Sequence, residues 1–380
     1  MNFASWFIIP RFHVALLACC MLIAGITAAH LLPFVYLAAV LATLAIVLLS
    51  SAYWHQRWLV SVALVVALLA GAGRYLQVRS RFNQTHASLH KRKLTLQATI
   101  DSIDKLDHAR YGYAIVCSVR HVIDAQTQQA LNVRPSFCLY TRRKPDNLQV
   151  ADCIELKDIT LSTPGDSPFS LYLYKQGHIG TLFMPMFCHT LIERPAWSLA
   201  RAIAHQKQLI FDRLRSTMDR PTFALFSTIF LGYKAPVKRT IEQYKSKFKQ
   251  WGISHYLARS GLHLVIFIMI WHLVLNFLPV GYGSAQVLLM LLVLLYALLT
   301  WSSVSFERAL YMFLIYRCFT IAAIAADYVQ VLVLTTFVVL LLNPLHLLFL
   351  DFQLSFGLTF ALAWFTFIKG YKRRLLMANT

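Results

Sequence analysis

Acidic residues are scarce in this sequence. Asp and Glu together number 16 among 380 residues, against 36 Lys and Arg, for a formal net charge of +20. Charged residues of all kinds make up only 14% and hydrophobic ones 58%. Soluble domains carry about 25% charged and 45–50% apolar residues, so water is excluded as the solvent for much of the chain. No Cys-x-x-Cys or His-x-His spacing occurs, which removes the common zinc frameworks. A Gly-x-Ser-x-Gly elbow is missing too, and with it a frequent serine-hydrolase arrangement. What is abundant is positive charge, which on a lipid-dwelling protein attracts polyanions or anionic headgroups. Fourteen His would add to it in an acidic compartment.

The chain is organised around Trp251–His272, WGISHYLARSGLHLVIFIMIWH. The stretch is long and apolar enough to cross a bilayer, yet its first half holds His255, Arg259, Ser260 and His263. At helical pitch His255, Arg259 and His263 share a stripe roughly 80° wide, with Ser260 beside it. An Arg in hydrocarbon costs from about 2.5 to more than 10 kcal/mol, so it should face a polar cavity or partner. A polar helix end resting in the headgroup layer would also account for these residues. The preferred reading is a water-filled path lined by the stripe.

Residues 1–74 read as three membrane helices, with apolar runs His13–Leu32, Phe34–Tyr53 and Trp58–Gly73. The first is not expected to be a cleavable signal, since further spans follow at once. Residues 75–92 form a basic linker, in which His86 and His90 have the i, i+4 spacing of metal ligands but no acidic or Cys partner nearby. Residues 93–190 read as a small β domain. LTLQATIDSI alternates Leu94, Leu96, Ala98 and Ile100 inward, and YGYAIVCSVRHV, NVRPSFCLYT, CIELKDITLS and GHIGTLFM supply further strands. That pattern suits a small barrel such as an OB-fold, or equally a generic β-sandwich. Cys117, Cys138, Cys153 and Cys188 lie in this polar middle and could pair if it is exported; Cys19, Cys20 and Cys318 lie in apolar runs as packing residues.

Residues 191–250 hold amphipathic, interfacial helices. Pro195–Asp219 sets Trp197, Leu199, Ile203, Leu209, Ile210 and Leu214 against Arg201, Lys207, Arg213 and Arg215, and is suited to lie in the interface. Phe223–Leu231 is too short to cross and reads as a half-helix, tolerable only inside protein or beside a water cavity. Pro236–Gln250 crowds Lys238, Arg239, Lys245, Lys247 and Lys249 around an apolar face of Val237, Ile241, Tyr244 and Phe248. Such a face binds lipid or nucleic-acid phosphates. Residues 251–380 add Ser284–Trp301, Ser305–Ala326, Tyr328–Leu348 and Phe352–Ile368 to the organising helix.

The expected fold is therefore a polytopic α-helical membrane protein of about eight spans with an inserted β domain. An even count puts both termini on one side. Arg11 and the tail Lys369, Lys372, Arg373 and Arg374 argue that this side is the cytoplasm, leaving the β domain outside. Arg74, Arg79 and Arg81 oppose this by the charge rule, although long domains translocate largely regardless of charge. Within the spans, Glu307 and Arg308 open one helix and Arg317 sits near its middle, where a buried partner or aqueous path is expected. Arg308 could instead snorkel. Gln353 and Ser355 open the last span, as caps or cross-helix bonds.

The run LGYKAPVKRTIEQYKSKFKQWGISHYLARSGLHLVIF resembles the competence region of the ComEC family of DNA-uptake channels. The likeness is carried by Leu231-Gly232, Phe248, Gly252 and His255-Tyr256-Leu257-Ala258-Arg259-Ser260-Gly261-Leu262-His263. Downstream, Ser305, Arg308-Ala309 and Met312 are similar to the family's Ser-x-x-Arg-Ala-x-x-Met, and Asn343-Pro344 with Phe352-Gln353-Leu354-Ser355-Phe356 to two further elements. Ser167-Pro168 through Gln176-Gly177-His178-Ile179 resembles the close of the family's OB-like domain. Two departures stand out. Arg259 replaces a usually apolar residue and Ser167 a usual Asn. The metallo-β-lactamase-like domain that family members often carry, with its His-x-His-x-Asp-His motif, is not found, so a fragment, split or truncated member is expected.

The resemblance implies a channel component that moves single-stranded DNA across the bacterial cytoplasmic (inner) membrane during natural transformation. His255, Arg259, Ser260, Gly261, His263, Arg308, Arg317, Gln353 and Ser355 would line the path, and Lys238, Arg239, Lys245, Lys247 and Lys249 would gather DNA. Expected partners are single-stranded DNA, membrane lipids, a DNA receptor, cytoplasmic translocation and single-strand-binding proteins, a second chain carrying the missing domain, and further copies of this chain. No cofactor, metal or catalysis is expected; Ser260 with His263 or His255 has no orienting carboxylate. The alternative is a membrane scaffold or small-solute transporter whose basic helices bind lipid headgroups.

Overall fold

The computed structural model describes residues 4–33, 37, 41, 58–89, 92–105, 112–127, 129–131, 133, 135–143, 147–161, 168–184, 189–232, 247–251, 261–279, 281–300, 303–325 and 327–378. These fall into two compact units: residues 1–79, 264–293 and 304–380, and residues 80–263 with 294–303. The division cuts inside two of the helices read from sequence rather than between domains.

The first unit is helical. It contains α1 (Ala4–Leu31), α2 (Trp58–Leu89) up to Arg79, and most of α6 (Gly261–Asn276) and α7 (Tyr282–Leu299). It also holds α8 (Val304–Ile321), α9 (Tyr328–Leu342), a 3-10 turn (Pro344–Leu348) and α10 (Leu350–Ala378). α1 and α2 touch backbone to backbone. A Cβ on Gly25 would strike the Leu68 carbonyl and one on Gly71 the Leu22 carbonyl, so only glycine permits the crossing.

Among the described residues one helix, Tyr282–Leu299, is long and apolar enough to cross a membrane. Leu16–Leu31, Gly261–Asn276, Tyr328–Leu342 and Leu350–Ala363 are shorter apolar helices. α8 matches α7 in length but carries Glu307, Arg308 and Arg317, and Phe34–Tyr53 lies almost wholly outside the described residues. α7 leaves Leu288, Leu291, Leu295 and Leu298 exposed, and α10 leaves Leu354, Leu358, Leu362 and Phe365 exposed. Continuous apolar faces of this kind suit hydrocarbon or a partner, not water.

The second unit is built on a sheet: β1 (Leu94–Lys105), β2 (Tyr113–Asp124), β3 (Ala130–Leu131), β4 (Ser136–Thr141), β5 (Cys153–Ile159), β6 (His178–Phe183) and β7 (Thr190–Glu193). Its order is β6-β4-β2-β1-β5-β7, with β3 on β2. All pairings are antiparallel except β4 with β6. A short helix, α3 (Pro168–Lys175), precedes β6. β1 alternates as its sequence requires, with Leu94, Leu96, Ala98 and Ile100 buried. Register shifts after Gln97 and Ile100 bend it so that it serves both β2 and β5. Leu89 of α2, Ile115, Phe137, Leu139 and Ile154 close the core. Cys117, Cys138 and Cys153 are buried free thiols; Cys188 lies outside the described residues. Burial raises the Cys117 and Cys138 thiols above their ordinary range.

After the sheet come α4 (Leu199–Thr217), capped by the Ser198 hydroxyl, and α5 (Arg220–Phe226), capped by Asp219. α5 runs into a π turn (Ser227–Leu231) that Gly232 ends at φ +75°, in the left-handed region that glycine enters freely.

Candidate functional site

His255, Arg259 and Ser260 of the expected stripe lie outside the described residues. Gly261 opens α6, and His263 two residues on is only 6% exposed. Its ring meets the Phe230 ring edge-on, centroids 5.5 Å apart and planes at 72°. Phe230 belongs to the π turn. The irregular turn frees its carbonyl, which accepts the Tyr296 hydroxyl at 2.6 Å. Phe223, Ala224, Ser227 and Thr228 are buried, so the short apolar segment is sheltered by protein.

In the helical unit, α8 and α10 meet through two of the sequence elements singled out. The Ser305 and Ser355 hydroxyls lie 3.2 Å apart. One turn along α8, Arg308 donates to the Ser355 carbonyl and the Thr359 hydroxyl, with its guanidinium 5.7 Å from the Phe356 ring. The charge is met by oxygens and a ring face. Arg317 is different. Its guanidinium lies 5.3 Å from the Phe313 ring centroid and 6.0 Å from that of Tyr316, and its buried Nε has no hydrogen-bond partner. Gln353 is exposed and donates to the Leu347 carbonyl at 2.8 Å, tying α10 to the 3-10 turn.

Of the basic set, Lys247 and Lys249 are exposed, flanking Phe248, whose ring lies 6.0 Å from that of Trp251. Lys238, Arg239 and Lys245 lie outside the described residues. Among the described residues no group of three or more His, Cys, Asp or Glu is placed to hold a metal ion. His86 stacks on Phe82; His90 lies outside the described residues.

Sequence reasoning missed two arginine arrangements. Arg74 donates to the Leu341 and Leu342 carbonyls at 3.1 and 3.3 Å, capping the C-terminus of α9. Asp152, 0% exposed, is gripped by Arg194 through Nε and Nη2 at 3.1 and 2.9 Å and by Arg201 Nη2 at 2.7 Å. Arg201 also reaches the Val150 and Pro195 carbonyls. Elsewhere on the sheet, the Gln126 amide, then that of Thr127 and the Arg92 guanidinium, hold Asp124 below the usual carboxylate range. Burial lowers His178, whose Nδ1 lies 3.0 Å from the Ser136 hydroxyl.

These features define a helical protein with large apolar surfaces, cations seated on its helices and a β domain set into the chain. Residues 229–377 match the Competence protein family. The chain is 24% identical over 291 residues to ComE operon protein 3 of Bacillus subtilis (strain 168), a match covering 74% of this chain and 35% of that protein. The chain thus spans about a third of the length of the curated relative it matches. No solved structure matches. Both matches point to the competence proteins as what this chain is similar to.

Proposed function

We propose that this chain acts in competence DNA uptake, as part of the path that carries single-stranded DNA across the cytoplasmic membrane. The observation that carries the reading is the match of residues 229–377 to the Competence protein family. Arg308, Arg317, His263 and Gly261 lie inside that region, as do the basic Lys238, Arg239, Lys245, Lys247 and Lys249. Cations held among apolar helices screen phosphate along a hydrated path, and exposed lysines gather the strand in a salt-dependent way. The β domain is read as an OB-like barrel. Its parallel β4–β6 pair, with α3 before β6 and a central bent β1, supports that reading.

The reading places the protein in the inner membrane with the β domain outside. Two contacts support the alternation of its spans. His30 near the end of α1 meets the Tyr75 hydroxyl at 2.7 Å, and Arg74 meets the end of α9. Eight alternating spans would bring these three chain positions to one bilayer face. Its partners are single-stranded DNA, membrane lipids and other competence proteins. No hydrolytic step is part of it.

The test is uptake of labelled DNA in host cells. Deleting the gene should abolish internalised label, and restoring it with Arg317→Leu should leave membrane protein levels unchanged while lowering uptake at least several-fold. Undiminished internalisation in the deletion strain overturns the proposal.

A further inference from the structure

α4 is a nineteen-residue helix with no buried residue, in a protein whose other long helices bury parts of their surface. Leu199, Ile203, Ile210 and Leu214 fall within an arc of roughly 60° on its surface. Leu199 is 62% exposed, and Trp197, one residue before the cap, is 76% exposed. His205, Gln208 and Asp212 occupy the opposite side, all exposed. Exposed Arg213 borders the apolar arc on one side, about 40° from Leu199, and Lys207 on the other, about 20° from Leu214.

The second observation is how α4 is held. Arg201 lies about 170° round the helix from the centre of the apolar arc. Its guanidinium is locked to Asp152, Val150 and Pro195. Asp152 is in turn fixed by Arg194, and its Oδ2 accepts the Gln149 amide at 2.9 Å. The sheet therefore grips α4 by its polar side and turns the apolar arc away from itself. A fully buried carboxylate between two guanidiniums is costly to disturb, so the grip sets an orientation as well as a position.

We propose that α4 is an in-plane membrane helix, resting its Leu199–Ile203–Ile210–Leu214 arc in the interface of an anionic bilayer, and that the Asp152–Arg194–Arg201 clamp sets its roll angle. Trp197 sits at headgroup level, where indoles favour the interface, and Arg213 meets lipid phosphate. The charge at the rim decides the occupant: an arc flanked by Arg213 and Lys207 complements a sheet of phosphates. The clamp is a positioning device and touches no lipid. The proposal is independent of the DNA-uptake reading.

The test uses the full chain, with the exposed Cys20 and Cys318 and also Cys188 changed to Ser, reconstituted into vesicles of phosphatidylglycerol and phosphatidylethanolamine. Single spin labels are placed at Leu199, Ile203, His205, Gln208, Ile210 and Asp212, and collision with oxygen and with a water-soluble nickel chelate is compared. Labels at Leu199, Ile203 and Ile210 should favour oxygen several-fold over those at His205, Gln208 and Asp212. Nickel access at every position, or shielding of the arc from both reagents as a covering protein would give, overturns the membrane assignment. An oxygen contrast unchanged in neutral phosphatidylcholine vesicles overturns the anionic part. Arg201→Gln should at least halve the contrast, while Arg201→Lys, which keeps the charge without the fork, should halve it less. Full contrast in both variants overturns the role of the clamp. Protection of Cys117, Cys138 and Cys153 from maleimide reports that the sheet is folded in each case.

Discussion

The two units neutralise arginine by different chemistry. In the β unit guanidiniums meet carboxylates: Arg194 and Arg201 at Asp152, Arg92 at Asp124 and Arg120 at Glu193. In the helical unit Arg74 and Arg308 meet backbone carbonyls, Arg308 a hydroxyl, and Arg317 two aromatic rings. The difference teaches where the sparse acid of this sequence is spent. A carboxylate ties a sheet to a helix through a full ion pair. Carbonyls and rings hold a cation without cancelling its charge, so the positive potential of the helical unit survives folding.

The largest effect should come from Asp152→Ala. The exposed Arg194 and partly exposed Arg201 would lose their shared counter-charge and the Gln149 amide its acceptor, costing about 3 kcal/mol. Labelling of the Cys117, Cys138 and Cys153 thiols in the full chain reads it, and a rate still near wild type would erase the contrast between the units. Arg308→Met comes next. The Ser355 carbonyl keeps the Thr359 hydroxyl as donor, so loss of the Arg308 hydrogen bonds should cost about 1–2 kcal/mol, read as a lower melting temperature in detergent. Ser305→Cys with Ser355→Cys should cross-link under mild oxidation, since those hydroxyls lie 3.2 Å apart. No cross-link would mean that α8 and α10 do not meet as described.

pH sharpens the comparison more gradually. Burial holds native His178 below its ordinary value of 6.5, with Asp101 opposing in part. Between 6.5 and that depressed value the unfolded chain binds more protons than the folded one, so stability of the β unit is lost as pH falls through this window. Thiol protection measured against pH should decline below 6.5, and His178→Gln should flatten the curve there. Asp124 adds its own loss at lower pH, as its depressed native value is approached from above. The smallest effect belongs to Arg74→Gln, which removes a cation from a helix C-terminus worth about 0.3–1 kcal/mol, measurable as a slight drop in melting temperature.

Local rules made part of this legible in advance. The alternation in LTLQATIDSI predicts β1 because one buried face imposes a period of two, and its four inward residues are buried. β7 escapes the same rule. Its four residues are all exposed on an edge, leaving no pattern to read. Arg308 and Ser355 are each conspicuous in sequence as polar residues within apolar runs. Their meeting across 47 positions is tertiary and could not be read. Asp152 shows the limit most clearly. It sits in an ordinary polar loop, and its partners lie 42 and 49 residues onward. Arg74, conspicuous in sequence only as a basic residue flanking a span, meets α9 carbonyls 267 and 268 positions onward, a contact no local pattern announces. Span count is not legible from hydropathy alone, because α8 combines adequate length with charges that a hydropathy rule penalises.

The crossing at Gly25 and Gly71 has a mechanical consequence. At these two positions no side chain separates α1 from α2, and each backbone is indexed into the other like a tooth into a notch. Sliding would first require the two rods to separate. Any motion of the helical unit must therefore carry this pair as one piece and find its pivot elsewhere.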